Sequence, residues 1–197
     1  ISTLARQSWW RKGANKGEDV NLWFRPLDRE QDRESYLAAR RDAWISIHGA
    51  DVPFDGPAFW EGALQAMDQN PWSVAAVMAK EKFAGLLQLS PQRCQEEGAG
   101  FLSLCYLTPA FRGKGLGVQL LGQAVSFYRP LGRISLRLRC SPANEPVQRF
   151  CAKHDFHKIG EEQAGGRPLD VLEKDIGYGD LSVQTGPDAE PVPALAT

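Results

Sequence analysis

The sequence predicts a mixed α/β domain in which helices cover one central sheet. Three observations carry that prediction. Apolar spacings of period two and period 3.6 follow one another in the order β-α-α-β-β-β-α-β-α-β-β. A glycine-rich turn, Arg112–Gly117 (RGKGLG), stands between a strand pattern and a helix pattern. The 197 residues are 43% hydrophobic and 24% charged, which suits one full core with tails.

Asn21–Leu27 alternates like an opening strand, with Pro26 suited to an edge or a strand end. Asp28–His48 reads as a helix with Tyr36, Leu37, Arg40, Ala43, Trp44 and Ile47 on one face. A Gly-Ala-Asp-Val-Pro loop leads to a shorter helix, about Gly56–Asp68, which carries Phe59, Trp60, Ala63 and Leu64. Ser73–Ala79 and Phe83–Leu89 form a hairpin around Lys80-Glu81-Lys82, and Gln92–Gly98 is a polar loop.

Gly100–Leu107 is the next strand, Thr108–Lys114 a turn, and Gly115–Tyr128 a helix stopped by Pro130 and Gly132. Its apolar face holds Leu116, Leu120, Leu121, Ala124, Val125 and Tyr128. Ile134–Cys140 follows as a strand, with Ile134, Leu136, Leu138 and Cys140 on one face and Arg137 and Arg139 on the other. A short helix at about Glu145–His154 precedes two strands, Phe156–Glu162 and Pro168–Asp175, around Gly165-Gly166.

Residues 1–19 read as a basic arm or linker, whose Trp9-Trp10 pair would alternatively dock on a neighbouring domain. Residues 179–197, rich in Pro, Ala and Asp, offer too little apolar surface to repay ordering and read as a flexible tail. Residues 20–178 remain as the folded domain. The start at Ile1 fits a domain cut from a longer chain better than a processed product. Association with a neighbouring domain or as a homodimer stays open.

Composition narrows the function. A net charge of −1 gives no electrostatic footprint for nucleic acid. No apolar run reaches the roughly 20 residues of a membrane span, and Ile1–Val20 has no apolar centre for a signal peptide. Cys94, Cys105, Cys140 and Cys151 contain no C-x-x-C pair, so reduced thiols of a cytoplasmic protein are expected. His48, His154 and His157 are too scattered for a metal site.

The glycine turn suits a phosphate. Amides at a helix start are directed donors, the helix dipole favours an anion there, and glycines leave those amides uncrowded. Arg112 and Lys114 add positive charge at the rim. No G-x-x-x-x-G-K-[ST] string occurs. A dinucleotide fingerprint fails because Val118 or Leu120 stands where its third glycine belongs. The acid expected about 20 residues on is also missing, since Leu131–Arg139 contains no carboxylate. R-x-x-G-x-G remains.

Leu107-Thr-Pro-Ala-Phe-Arg-Gly-Lys-Gly-Leu-Gly resembles the first signature of the GNAT superfamily of CoA-dependent N-acetyltransferases. Leu138, Cys140, Asn144, Val147 and Phe150–Phe156 match the spacing of that family's second motif, and the element order agrees over about residues 20–176. The resemblance implies a mostly antiparallel sheet whose fourth and fifth strands splay, with the pantetheine arm between them. It implies acetyl-CoA as cosubstrate, backbone contacts near Cys105 and Leu107, and pyrophosphate held by amides of Arg112, Gly113, Lys114, Gly115, Leu116 and Gly117. It implies transfer of the acetyl group to an amine, on a small molecule or a peptide. A CoA-binding regulatory module, or an accessory domain of a longer fusion protein, is the other expectation.

Relatives place an acidic tyrosine seven residues after the second-motif asparagine, and here that position is Cys151. Cys151 is therefore a candidate acid and equally a small core cysteine, with Tyr106 and Tyr128 as other phenols. On the fourth strand Ser103 is the one inward polar candidate, so a water relayed through backbone carbonyls or Ser103 is the expected base. Glu96 and Glu97 read as a solvated pair. Asn144 suits a helix N-cap and a contact to the CoA arm together. Arg137 and Arg139 form a solvated strand face or meet CoA phosphates.

In this family the first two helices and the last hairpin build the acceptor pocket. Those segments supply Trp44, His48, Phe54, Phe59 and Trp60, facing Glu161, Glu162 and Asp170. Trp44, Phe54 and Trp60 are the pocket candidates, and acidic residues beside aromatic walls would suit a cationic amine.

Overall fold

The structure is a computed structural model that describes residues 20–178. The expectations for the basic arm, its tryptophan pair and the tail lie outside the described residues. Seven strands form one sheet in the order β1-β2-β3-β4-β5-β7-β6. They are β1 Leu22–Pro26, β2 Val74–Ala79, β3 Lys82–Leu89, β4 Ala99–Leu107, β5 Ser135–Cys140, β6 His157–Ala164 and β7 Arg167–Asp175. Only β4 and β5 run parallel; the other pairs are antiparallel. Helices α1 Arg33–His48 and α2 Gly56–Gln69 precede β2, α3 Gly117–Tyr128 joins β4 to β5, and α4 Glu145–Lys153 joins β5 to β6.

The two faces of the sheet carry separate cores. On the front, Tyr36, Ala39, Ala63 and Met67 of α1 and α2 close over Val74, Ala76, Met78, Leu86 and Tyr106. On the rear, Leu120, Leu121, Ala124, Val125 and Tyr128 of α3, with Cys151 of α4, close over Leu87, Leu102, Leu136, Leu138 and Leu172. Because β2 lies between both layers, all of Val74–Ala79 is buried, and its sequence VAAVMA is apolar without alternation. α3 sits close to the sheet because Gly100 has no side chain. A Cβ there would fall 2.4 Å from the Tyr128 ring. The Tyr128 hydroxyl, fully buried, donates to the Phe101 carbonyl at 2.7 Å and ties the helix to β4.

The parallel pair opens. β4 and β5 are in register from Ala99↔Ser135 to Leu102↔Leu138, and their pairing ends there. β4 continues along β3 to Leu107, and β5 continues along β7 to Cys140. A bulge marks the departure point: Leu89 opposes Leu102 and Gln88 opposes Leu104, so Ser103 is the extra residue. Ser103 and Arg139 are the first residues past the last pair, one on each lip of the opening.

Some boundaries differ from the sequence expectation. α1 starts at Arg33, not Asp28, because the Asp28 carboxylate accepts from the Glu30 and Gln31 amides and forms a turn. α3 starts at Gly117 because Gly115 is left-handed at φ +72°. Ile134 lies before β5 and its side chain is 63% exposed, while its amide donates to the Gly98 carbonyl and its carbonyl accepts from the Ile176 and Gly177 amides. Ile47 also leaves the expected apolar face and is exposed. No described helix is long and apolar enough to cross a membrane.

Candidate functional site

The chain leaves β4 at Leu107 through a single 3-10 turn, Pro109–Phe111, and reaches α3 across Arg112–Leu116. Gly113 and Gly115 have φ of +71° and +72°, and a Cβ on either would meet nothing within 4 Å. Their glycines thus answer a backbone demand and leave the turn open on its outer side. Backbone amides of Gly113–Leu116 donate to no protein acceptor among the described residues. Gly117 has a different reason: a Cβ there would fall 2.9 Å from the Phe150 ring of α4. The turn is therefore a run of unencumbered N–H groups leading into a helix N-terminus. With Lys114 exposed beside it, it fits a pyrophosphate.

Arg112, though nearly half exposed, turns two of its nitrogens back onto the protein. Its Nε donates to the Leu107 carbonyl at 2.7 Å and its Nη2 to Asp42 Oδ2 of α1 at 2.6 Å. Tyr106 donates its hydroxyl to the same Asp42 oxygen at 2.7 Å. The Tyr106 and Arg112 hydrogen bonds hold the Asp42 carboxyl below its ordinary range. Burial first, and then Asp42, push the Tyr106 hydroxyl up to about 12. This cluster fastens the turn to the first helix.

Cys105 points to the rear inside the β4–β5 opening. Its side chain is reached by solvent, yet protein surrounds it closely enough to push the thiol up to about 12. Both facts hold together for a group on the floor of a cleft. Cys151, on α4, adds to the rise at Cys105, is 1% exposed, and is itself pushed up to about 12 by burial. Asn144 caps α4 with its Oδ1 3.4 Å from the Val147 amide. Tyr128 is committed to the Phe101 carbonyl.

On the front side of the opening, Ser103 Oγ lies 2.5 Å from Ser90 Oγ. Next to it, Arg93 Nη2 contacts both oxygens of Glu162 at 3.1 and 2.7 Å, and Arg139 Nη1 reaches Glu162 Oε2 at 3.0 Å. The Phe101 ring lies under both arginines, 3.7 Å from Arg93 Cζ and 5.8 Å from Arg139 Cζ. Burial raises the Glu162 carboxyl, but the two arginines outweigh that and hold it below its ordinary range.

Trp44, Phe54 and Phe59 meet in one aromatic group, with centroids 5.6 Å apart for Trp44–Phe59 and 5.1 Å for Phe54–Phe59. Trp60 stands apart, edge-on to Tyr36 at 5.3 Å. Of the three acidic residues expected in the pocket, only Glu162 is on this side. Glu161 and Asp170 pair with Lys158, and Asp170 also accepts from Gln148 of α4. Arg137 pairs with Glu173 at 2.6 Å, next to a cavity of about 420 Å³ at the far end of β5.

The tip of the β6–β7 hairpin crosses to α1. Arg167 donates to the carbonyls of Ile47 and His48 at 2.8 and 3.4 Å and so caps the helix C-terminus. Because α1 covers the β2–β4 side and the hairpin forms the opposite edge, this contact bridges the front of the opening. Sequence reading passed over Asp42 and Arg93. The first belongs to an ordinary polar helix face and the second to a polar loop, with no spacing that ties them to partners 70 and 69 residues away.

The profile of the acetyltransferase (GNAT) family matches residues 22–156. No curated protein has a significant sequence match to the chain. Among solved structures, the chain resembles PaiA N-acetyltransferase from Thermoplasma acidophilum in complex with coenzyme A. That match has a TM-score of 0.61 and 17% identity and covers 79% of this chain and 99% of that one. It also resembles an N-acetyltransferase from Staphylococcus aureus Mu50, with a TM-score of 0.62, 20% identity, and 79% and 99% coverage. A third is YncA from Salmonella typhimurium with acetyl-CoA, with a TM-score of 0.62, 18% identity, and 89% and 99% coverage. At these identities the likeness is one of fold, down to the parallel pair that opens between β4 and β5. With its matched segment running from the first strand through the amide turn to α4, the chain belongs to the acetyltransferase (GNAT) family and is an acyl-CoA N-acyltransferase.

Proposed function

We propose that the chain transfers an acetyl group from acetyl-CoA directly to a primary amine. One observation carries the reading: the opening between β4 and β5 and the free amides of Gly113–Leu116 lie at the same end of the sheet. A phosphorylated, extended ligand held by the turn would have its thin arm in the opening. Residues Cys105 and Leu107 would line the arm, and Asn144, beyond its capping bond, would meet it from α4. The acyl thioester supplies the group transferred; the chain's residues place it and manage the protons.

An amine with a lysine-like pKa of about 10.4 must shed a proton before it attacks. Glu162, ionised and engaged by two arginines, is a weak base. The Ser103–Ser90 pair, at the bulge and beside the last β4–β5 pair, is the better placed path by which that proton passes to water. Cys151 and Cys105, with thiols near 12, hold their protons at neutral pH. A leaving thiol of about 8.5 departs as a thiolate without taking one of them. Cys151 is therefore assigned to packing beneath the lips.

Calorimetry with acetyl-CoA should show micromolar binding, and free thiol should appear when polyamines, aminoglycosides, amino acids or peptides are added. Binding without thiol release from any acceptor would leave a CoA-binding module in place of a transferase. No binding at millimolar acetyl-CoA would remove both.

A further inference from the structure

The front of the opening holds a cation pair that the transfer chemistry does not use. Arg93 and Arg139 share one carboxylate, Glu162, so the group carries one more positive charge than negative. Each arginine commits a single nitrogen to Glu162. Their other guanidinium nitrogens bond to no protein group among the described residues, and both side chains are about one-third exposed. The Phe101 ring fixes them from below, and Glu162 keeps them from repelling each other apart. Two oriented guanidinium forks with spare N–H groups are a receptor for a planar anion.

Position decides which anion. Arg139 lies on the β5 lip opposite Ser103 on the β4 lip, at the point where the strands part. The pyrophosphate turn leads into α3, whose helix covers the rear, whereas the arginine fork faces the front. The fork is thus on the face covered by α1 and α2, the side that the family resemblance assigns to the acceptor. The bridge from Arg167 to the end of α1 spans that side. We propose that the acceptor is a small α-amino acid, whose carboxylate is held by Arg93 and Arg139 while its amine faces the bulge. A peptide N-terminus has an amide in place of that carboxylate and is discriminated against.

This inference rests on the acetyltransferase reading for the fate of the amine, but binding tests it separately. A panel of α-amino acids, their α-carboxamides and matching dipeptides is titrated calorimetrically into the protein, with and without saturating CoA. At least one amino acid should bind on the order of tenfold to a hundredfold tighter than its carboxamide and its dipeptide, the worth of a charge-assisted bidentate contact. Arg139→Gln and Arg93→Gln should each erase most of that preference, Arg139→Lys should restore part of it, and CoA affinity should not move. Equal binding of acid and amide, no binding of any amino acid, or a preference that survives both glutamine variants would overturn the proposal. Carboxylate-selective binding without thiol release would uphold the carboxylate site at Arg93 and Arg139 while removing direct acetyl transfer to the bound amine.

Discussion

The amide turn beyond β4 and the arginine fork in front of it both offer positive charge to an anion, but they are built differently. The turn is made of backbone from one run, Arg112–Gly117, so the amides that face a ligand lie next to one another in the sequence. The fork draws Arg93 from a loop, Arg139 from β5 and Glu162 from β6, brought together by the sheet order. A backbone site tolerates many side chains and few changes of conformation; a side-chain site has the reverse sensitivity. The largest effect should therefore come from the turn. Gly117→Val puts bulk where a Cβ alone meets Phe150 at 2.9 Å, forcing α3 away from α4 at a cost of about 1–3 kcal/mol. Acetyl-CoA affinity should fall at least tenfold, and Phe150→Ala in the same chain should recover part of the stability. If Gly117→Val binds acetyl-CoA normally, the turn does not depend on the seat of α3.

Next in size is the tie between the two regions at the base of the opening. Tyr128→Phe removes the hydroxyl that donates to Phe101, whose own ring carries the arginines. The buried Phe101 carbonyl would keep the Ser90 amide at 3.0 Å but lose its second donor, which costs about 0.5–1.5 kcal/mol in chemical denaturation. An unchanged midpoint would mean that water replaces the hydroxyl.

The same contrast governs what could be read in the sequence. The glycine turn, the apolar face of α3 and the strand order were legible because each depends on local spacing, and the structure bears out the mixed sheet and its open parallel pair. The sequence predicts that the turn's glycines clear the amides for a phosphate; the left-handed φ of Gly113 and Gly115 is a second reason for them, and the contact that requires Gly117 has no local signal, since Phe150 is 33 residues away. On the front side, residue type misled. Glu161 and Glu162 are neighbours in a strand and so point to opposite faces, one toward Lys158 and one toward the arginines. The family resemblance groups Trp60 with Trp44 as pocket walls, whereas the helix turns Trp60 toward Tyr36. Ile134 looked like a core residue by alternation, but the strand starts one residue later.

A smaller effect should come from Asp42, which fastens the turn to α1. Asp42→Asn weakens the contacts to Arg112 and Tyr106, but both ionic partners are more than one-third exposed and screened. The stability loss should stay under about 1 kcal/mol. Acetyl-CoA binding is the sharper measure: a several-fold rise in Kd with near-normal stability would show that α1 tunes the turn. The Asp42 pKa is depressed on folding, so its share of stability is present above the unfolded value near 3.9 and vanishes as pH falls through the lower folded value. No change in Kd would make the cluster purely an anchor for α1.

The smallest effect concerns the bridge over the front. His48 stacks on Trp44 with centroids 3.9 Å apart, and its backbone carbonyl receives Arg167 from the hairpin tip. Burial, and then the Arg167 charge, lower the His48 pKa below 6.5. A histidine depressed on folding binds fewer protons in the folded chain than in the unfolded one between the two pKa values. Its destabilising effect is therefore absent above about pH 6.5 and grows as pH falls through that window. His154 is shifted the same way on the other side of the sheet, so the wild-type decline in Tm between pH 7 and 5 combines both. The carboxylates held low by their partners begin to contribute only below that range. His48→Gln should flatten part of the decline, His154→Gln the rest, and only the His48 change should alter proteolysis at the Gly165-Gly166 tip. A slope untouched by His48→Gln would mean that the bridge does not sense this proton.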